Sequence, residues 1–192
     1  MTAILPMILV CGAVAVLPVA IHSQGASSNG APAPRLSLAV SGNGEGARLV
    51  LRDGPRDVAS IAAPPAATRA ALEAAIATAL WHPNGRDVAL AVTGGRASFV
   101  AVLLEQPRGA FTVVDVSEIE RRNIGGIGPN RTYPVRRTRP VEWLADRQLE
   151  GSYAGRAAVQ IRFRTEVRDA GGTRYRAADV LLITRDGTPL WR

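Results

Sequence analysis

The chain has no lysine: all 23 of its basic residues are arginine, set against 16 acids, which leaves a formal charge of +7 over 192 residues. With no primary amine on any side chain, P-loop phosphate binding, Schiff-base chemistry and Ser–Lys dyads are excluded together. One cysteine, Cys11, cannot make an intrachain disulfide. With only two histidines beside it, the usual four-ligand structural zinc site is excluded as well. Neither cross-link nor metal is available to hold the domain, so its stability has to come from an apolar core, for which 47% hydrophobic residues are sufficient.

Charge is also missing locally. Residues 1–34 carry no charged side chain, and residues 4–21 are an apolar run broken only by Pro6, Gly12 and Pro18. As a helix this run is about 27 Å long, between a signal-peptide core and a minimal membrane span. The pattern predicts a signal peptide or membrane anchor over 1–22. That makes the chain exported, either periplasmic or membrane-anchored, with residues 4–21 contacting the membrane if uncleaved. Ser23-Gln24-Gly25 and Gly25-Ala26-Ser27 both satisfy the small-x-small rule, so the cleavage position stays open. Residues 23–34 (SQGASSNGAPAP) hold no large apolar side chain and are expected to be a flexible linker. Residues 35–192 then make a single domain.

Within that domain Leu36 to Val40 and Leu49 to Leu51 read as a loose hairpin around Ser41-Gly-Asn-Gly-Glu-Gly. Ala66 to Trp81 places Leu72, Ile76 and Leu80 at i, i+4 and i+8, which predicts a helix with one apolar face. Strand patterns follow at Val88 to Val92, Ala97 to Leu104 and Phe111 to Val116. Ala97 to Leu104 is apolar almost throughout and is expected to be central, covered on both faces. Gln106-Pro107-Arg108-Gly109 suits a type I turn. Ser117 with Glu120 suggests a capping box on a short helix through Arg122, and Gly125, Gly126, Gly128 and Pro129 an irregular loop. Tyr133 to Leu144, with Pro134 and Pro140, is an edge strand. Val159 to Val167 and Tyr175 to Ile183 make a pair whose odd positions face the core, provided the connecting loop has an odd length. The predicted fold class is α+β, one helix packed on a mostly antiparallel β-sheet of about six to eight strands.

No set of residues identifies a reaction, so no catalytic residue, metal ligand or cofactor is assigned. The stretch from Trp81-His82-Pro83-Asn84-Gly85 to Leu90 resembles the opening of a TolB-type propeller blade. A propeller needs at least four such blades and no second copy follows, so the stretch reads as a tight turn feeding a strand. His82 with Asp87, or the pairs Glu118/Glu120 and Glu142/Asp146, would serve a small carboxylate- or histidine-dependent hydrolase. No G-x-S-x-G elbow accompanies them.

The distribution of charge says more. Residues 35–120 hold 8 arginines and 9 acids, whereas residues 121–192 hold 15 arginines and 7 acids. Arg121, Arg122, Arg131, Arg136, Arg137 and Arg139 run without an intervening acid. Arg162, Arg164 and Arg168 alternate along one strand, with Arg174 and Arg176 opposite. Guanidinium forks recognise phosphate and carboxylate bidentately. These eleven residues are the candidate anion-binding set. The expected function is therefore an exported, non-enzymatic binding module whose arginine-rich C-terminal half meets an anionic envelope surface, a polymer or an acidic protein. Exposed strand faces also use charge simply for solubility, which is the competing explanation of the same residues. Nucleic-acid binding, with Tyr133 as a stacking residue, becomes the reading if the chain is not exported.

Overall fold

Short alternating apolar runs punctuated by glycine turns put most of this chain into strands. The structure, a computed structural model, describes residues 36–43, 46–65, 67–94, 97–128 and 132–191. These belong to one unit, Pro34–Arg192. The expectations placed on 1–22, on 23–34 and on Arg131 lie outside the described residues. Among the described residues eleven strands form three antiparallel sheets, accompanied by two α-helices.

The first sheet is a meander of β1 (Leu36–Ser41), β2 (Arg48–Asp53) and β3 (Arg56–Ala62). Helix α1 (Arg69–Ala77) leads into the second sheet, ordered β4 (Leu80–Trp81), β5 (Val88–Gly94), β6 (Ala97–Glu105) and β7 (Phe111–Asp115). Helix α2 (Glu118–Ile127) leads into the third. Its strands in space run β11 (Pro189–Leu190), β10 (Arg174–Thr184), β9 (Ala157–Arg168) and β8 (Val135–Gln148). The second sheet is the middle layer. Val88, Leu90 and Val92 of β5, with Ala101 and Leu103 of β6, pack on Leu49, Leu51, Ile61 and Leu72. On its other side Val100, Val102 and Leu104 pack on Val159, Ile161, Phe163, Leu181 and Ile183. The period-two alternation of strand side chains thus sends each half of β6 into a different core, which is why that strand is apolar at nearly every position.

One helix on one sheet is overturned by this architecture: the fold is mostly β, in three sheets. The physical reason is area. Helix α1 has nine residues and spans about 13 Å. The nine-residue strand β6 spans about 30 Å, and it has sheet neighbours on both sides. A single short helix cannot cover such a surface, so β1–β3 supply the rest. The helix ends at Thr78, which leaves helical torsions (φ −109°, ψ 7°) and donates its hydroxyl to the Ala74 carbonyl at 2.9 Å. Leu80 and Trp81, predicted to be helical, instead pair with Ala89 and Val88.

Local expectations near α2 are also corrected. Ser117 has helical torsions (φ −60°, ψ −20°) and makes no cap; its Oγ accepts the Val100 N–H at 3.0 Å, and Glu120 turns inward. The helix runs through Gly125 and Gly126, where an irregular loop was expected, and ends at Gly128. Arg108 takes φ +74°, which a type I turn does not allow at that position. In the third sheet β8 is an edge strand, and its register shifts just after Pro140. Residues 169–173 make a five-residue connection that sets Leu181 opposite Ile161 and Ile183 opposite Val159, on the buried side.

Candidate functional site

Strand pairing in the third sheet decides which arginines meet. β9 alternates buried Val159, Ile161, Phe163, Thr165 and Val167 with outward Arg162, Arg164, Glu166 and Arg168. Paired residues in a ladder share a face, so the register extends that outer face across three strands. Arg168 lies between Val135 and Arg174, Glu166 between Arg137 and Arg176, Arg164 between Arg139 and Ala178, and Arg162 between Glu142 and Val180. Seven arginines therefore share one face with two glutamates. Arg162 pairs with Glu142 at 2.5 Å and Arg176 with Glu166 at 3.2 Å. Arg137, Arg139, Arg164, Arg168 and Arg174 have no acidic partner among the described residues. Two pairs, Arg168 with Arg174 and Arg139 with Arg164, are directly opposed like charges, an arrangement that weakens a ladder.

The rest of the candidate set is dispersed. Arg121 is on α2 in an exposed ion pair with Glu118. Arg122 lies over the Trp191 ring, 5.6 Å from its centroid. Arg136 points to the opposite side of β8 from Arg137, with its Nε donating to the Tyr133 carbonyl at 3.1 Å. Tyr133 is 1% exposed and set edge-on to Tyr175, so its ring has no free face for stacking a base. The run of arginines from 121 to 139 is therefore contiguous in sequence only, and it is pairing with β9 that makes Arg137 and Arg139 part of a surface.

A second polar cluster ties the 82–87 turn to the third sheet. Asp87 is fully buried; it accepts from Asn84 Nδ2 at 2.8 Å, from the Glu105 N–H at 2.9 Å and from Arg185 at 2.5 Å. Arg185 also reaches Asp146 at 2.7 Å. Burial works against the Arg185 charge, but the hydrogen bonds to Asp146 and Asp87 outweigh it and hold its pKa above the ordinary arginine value. His82 lies edge-on to Trp143 at 4.8 Å. Its Nδ1 accepts the Asn84 N–H at 3.1 Å and its Nε2 is 3.5 Å from Asp146, not beside Asp87. Nδ1 is thus engaged by the backbone of its own turn, and Nε2 lies near Asp146 at more than ordinary hydrogen-bond distance. The adjacent cleft of about 410 Å³ is lined by Asp87, Glu105 and Arg185, and each of its carboxylates is already engaged: Glu105 bonds Arg86, whose pKa that hydrogen bond raises.

The carboxylate pairs do not assemble either. Glu118 is on the α2 surface, while Glu120 is buried and accepts from the Ser98 N–H at 3.2 Å and the Thr138 hydroxyl at 2.9 Å. Thr138 meets Thr165 at 3.0 Å, and Asn123 donates to Thr165 at 2.9 Å. This buried chain of hydrogen bonds joins α2, β6, β8 and β9. Nothing in the sequence marked it, because its members are 18 to 42 residues apart. Glu142 is on the outer arginine face and Asp146 belongs to Arg185. Among the described residues no group of three or more His, Cys, Asp or Glu side chains is placed to hold a metal ion, and no helix is long and apolar enough to cross a membrane. No family model matches the chain, and no curated protein or solved structure matches it.

Proposed function

We propose that this chain is an exported, non-enzymatic binding module, and that the outer face of β8, β9 and β10 receives an anionic partner. The observation that supports this reading is the opposition of Arg168 to Arg174 and of Arg139 to Arg164. Solubility and protection of an edge are served equally well by mixed charges, which attract across a ladder; a face built only for those purposes gains nothing from opposed arginines. An anion bridging two guanidinium groups converts the repulsion into charge-assisted hydrogen bonds. One-signed charge over the face also concentrates anions near it, in a manner that salt screens.

Retention on vesicles containing anionic lipid, titrated with sodium chloride, tests the reading. Binding is expected to be lost as salt rises and to fall by about tenfold in an Arg139→Gln/Arg164→Gln variant, about the loss of one charged hydrogen bond. Arg136→Gln, on the opposite side of β8, is expected to leave retention unchanged. Equal loss in the two variants, or retention indifferent to salt, contradicts the assignment to this face.

A further inference from the structure

Resting on that reading, the geometry points to a subsite within the face, and we propose that it takes a terminal phosphate, a phosphomonoester. Where β8, β9 and β10 run past one another near the 169–173 connection, Arg137, Arg168 and Arg174 wall a cleft of about 250 Å³ together with Val135, Glu166 and Val167. Glu166 is its one carboxylate and is held by Arg176 at 3.2 Å. None of the three arginines is ion-paired among the described residues, and three guanidinium groups against the one carboxylate leave the cleft lining with an excess of two positive charges. Each guanidinium presents a planar fork of N–H donors and no acceptor. Three forks around one small space suit a ligand with several acceptor oxygens and more than one negative charge. A terminal phosphate has three such oxygens and about −1.5 to −2 charges at neutral pH. A carboxylate has two oxygens and one charge, and a phosphodiester one charge, so both leave guanidinium charge unmatched. The size of the cleft suits a headgroup and not a folded partner. Val135, 42% exposed, offers an apolar wall to the carbon that carries the ester.

The chemistry is shared by a free phosphate ester and by a lipid with a phosphomonoester headgroup, and the test separates them. Calorimetric titration of the full chain uses inorganic phosphate, glycerol phosphate and acetate at constant ionic strength. Flotation uses vesicles of phosphatidic acid or of phosphatidylglycerol, matched in surface charge. Phosphate and its ester are expected to bind and acetate to bind at least about tenfold more weakly. Binding is expected to weaken as pH falls through about 6, where the phosphate loses its second charge. A gain on phosphatidic acid over phosphatidylglycerol assigns the lipid headgroup, whereas phosphate binding without that gain assigns a soluble ester. Arg168→Gln and Arg174→Gln are each expected to lower phosphate affinity about tenfold, and Arg136→Gln, on the opposite side of β8, to leave it unchanged. The unliganded thermal midpoint of Arg168→Gln and Arg174→Gln should hold or rise, because each removes a repulsion, so loss of folding cannot imitate loss of binding. Equal affinity for acetate and phosphate, or unchanged affinity in both cleft variants, overturns the subsite. Salt-sensitive retention on both lipids without preference, and without phosphate binding, overturns the subsite while the broader face stands; no retention on either lipid together with no phosphate binding removes both.

Discussion

Replacing Arg185 with methionine removes the one cation that, among the described residues, is ion-paired with buried Asp87, and the structure sets the size of the effect. Asp87 is wholly inaccessible and keeps only Asn84 Nδ2 and the Glu105 N–H as donors once the guanidinium is gone. Breaking a fully buried ion pair by removing one partner costs about 3–5 kcal/mol, since the other charge is left uncompensated. Arg185 itself is 34% exposed and its second partner, Asp146, is 40% exposed, so solvent screens part of the loss. About 2–4 kcal/mol is expected, which at about 2–4 °C per kcal/mol lowers the thermal midpoint by about 5–15 °C. A urea titration of the wild type, Arg185→Met, Asp87→Asn and the double variant isolates the cause. If the cost comes from the stranded Asp87 charge, Arg185→Met in the Asp87→Asn background should cost about 1 kcal/mol or less. A single-variant loss below about 1 kcal/mol, or additive effects in the cycle, refutes the reasoning and returns the cluster around His82 to the list of sites free to do chemistry.

Two further outcomes follow from the hydrogen bonding. Thr165→Val preserves shape but removes the acceptor of the buried Asn123 Nδ2 and leaves the Thr138 hydroxyl with Glu120 alone. Its urea midpoint is expected to fall by about 1–3 kcal/mol equivalent with no change in slope; an unchanged midpoint would show that the chain of hydroxyls does not hold β8 to β9 and α2. Asp186 accepts from the Thr184 and Thr188 hydroxyls, in that order of effect, and its pKa is held below its ordinary 3.8. A depressed carboxylate stabilises the fold fully above its unfolded pKa and loses that contribution as pH falls through the folded one. The wild-type midpoint should therefore drop below about pH 4 more steeply than that of Asp186→Asn, and parallel curves from pH 2 to 5 would exclude the linkage.

How much of this was legible in the sequence depends on whether a feature is local. The alternation in 159–167 and 175–183 was legible, but the side on which Leu181 and Ile183 fall hung on the parity of the connection, which the five residues 169–173 settle as inside. The nearly continuous apolar character of Ala97 to Leu104 pointed to a strand covered on both faces. What covers it was not legible, because β3 had no strong pattern of its own and Leu80 completed a helical spacing that pairing with Ala89 overrides. The arginine face was half legible. Arg162, Arg164 and Arg168 alternate within one strand, and their opposition to Arg174 and Arg176 was expected. That Arg137 and Arg139 join the same face, opposite Glu166 and Arg164, depends on the register of β8, which no local pattern encodes. Asp87 and Arg185 are 98 residues apart, so the tie between them has no signature in the chain at all.

The central claim is that the outer face of β8, β9 and β10 keeps like charges opposed for the sake of an anion. Arg164→Glu tests it most directly, because the new carboxylate stands opposite Arg139 and between the strands that carry the other arginines. Thermal midpoint and retention on anionic vesicles are measured on the same preparation. Exchange of a repulsive for an attractive cross-strand pair is worth about 1 kcal/mol, so the midpoint is expected to rise by about 2–4 °C while retention falls by tenfold or more. A midpoint that rises with retention unchanged would mean that the arginines serve only as a solvated surface, and that result would contradict the claim.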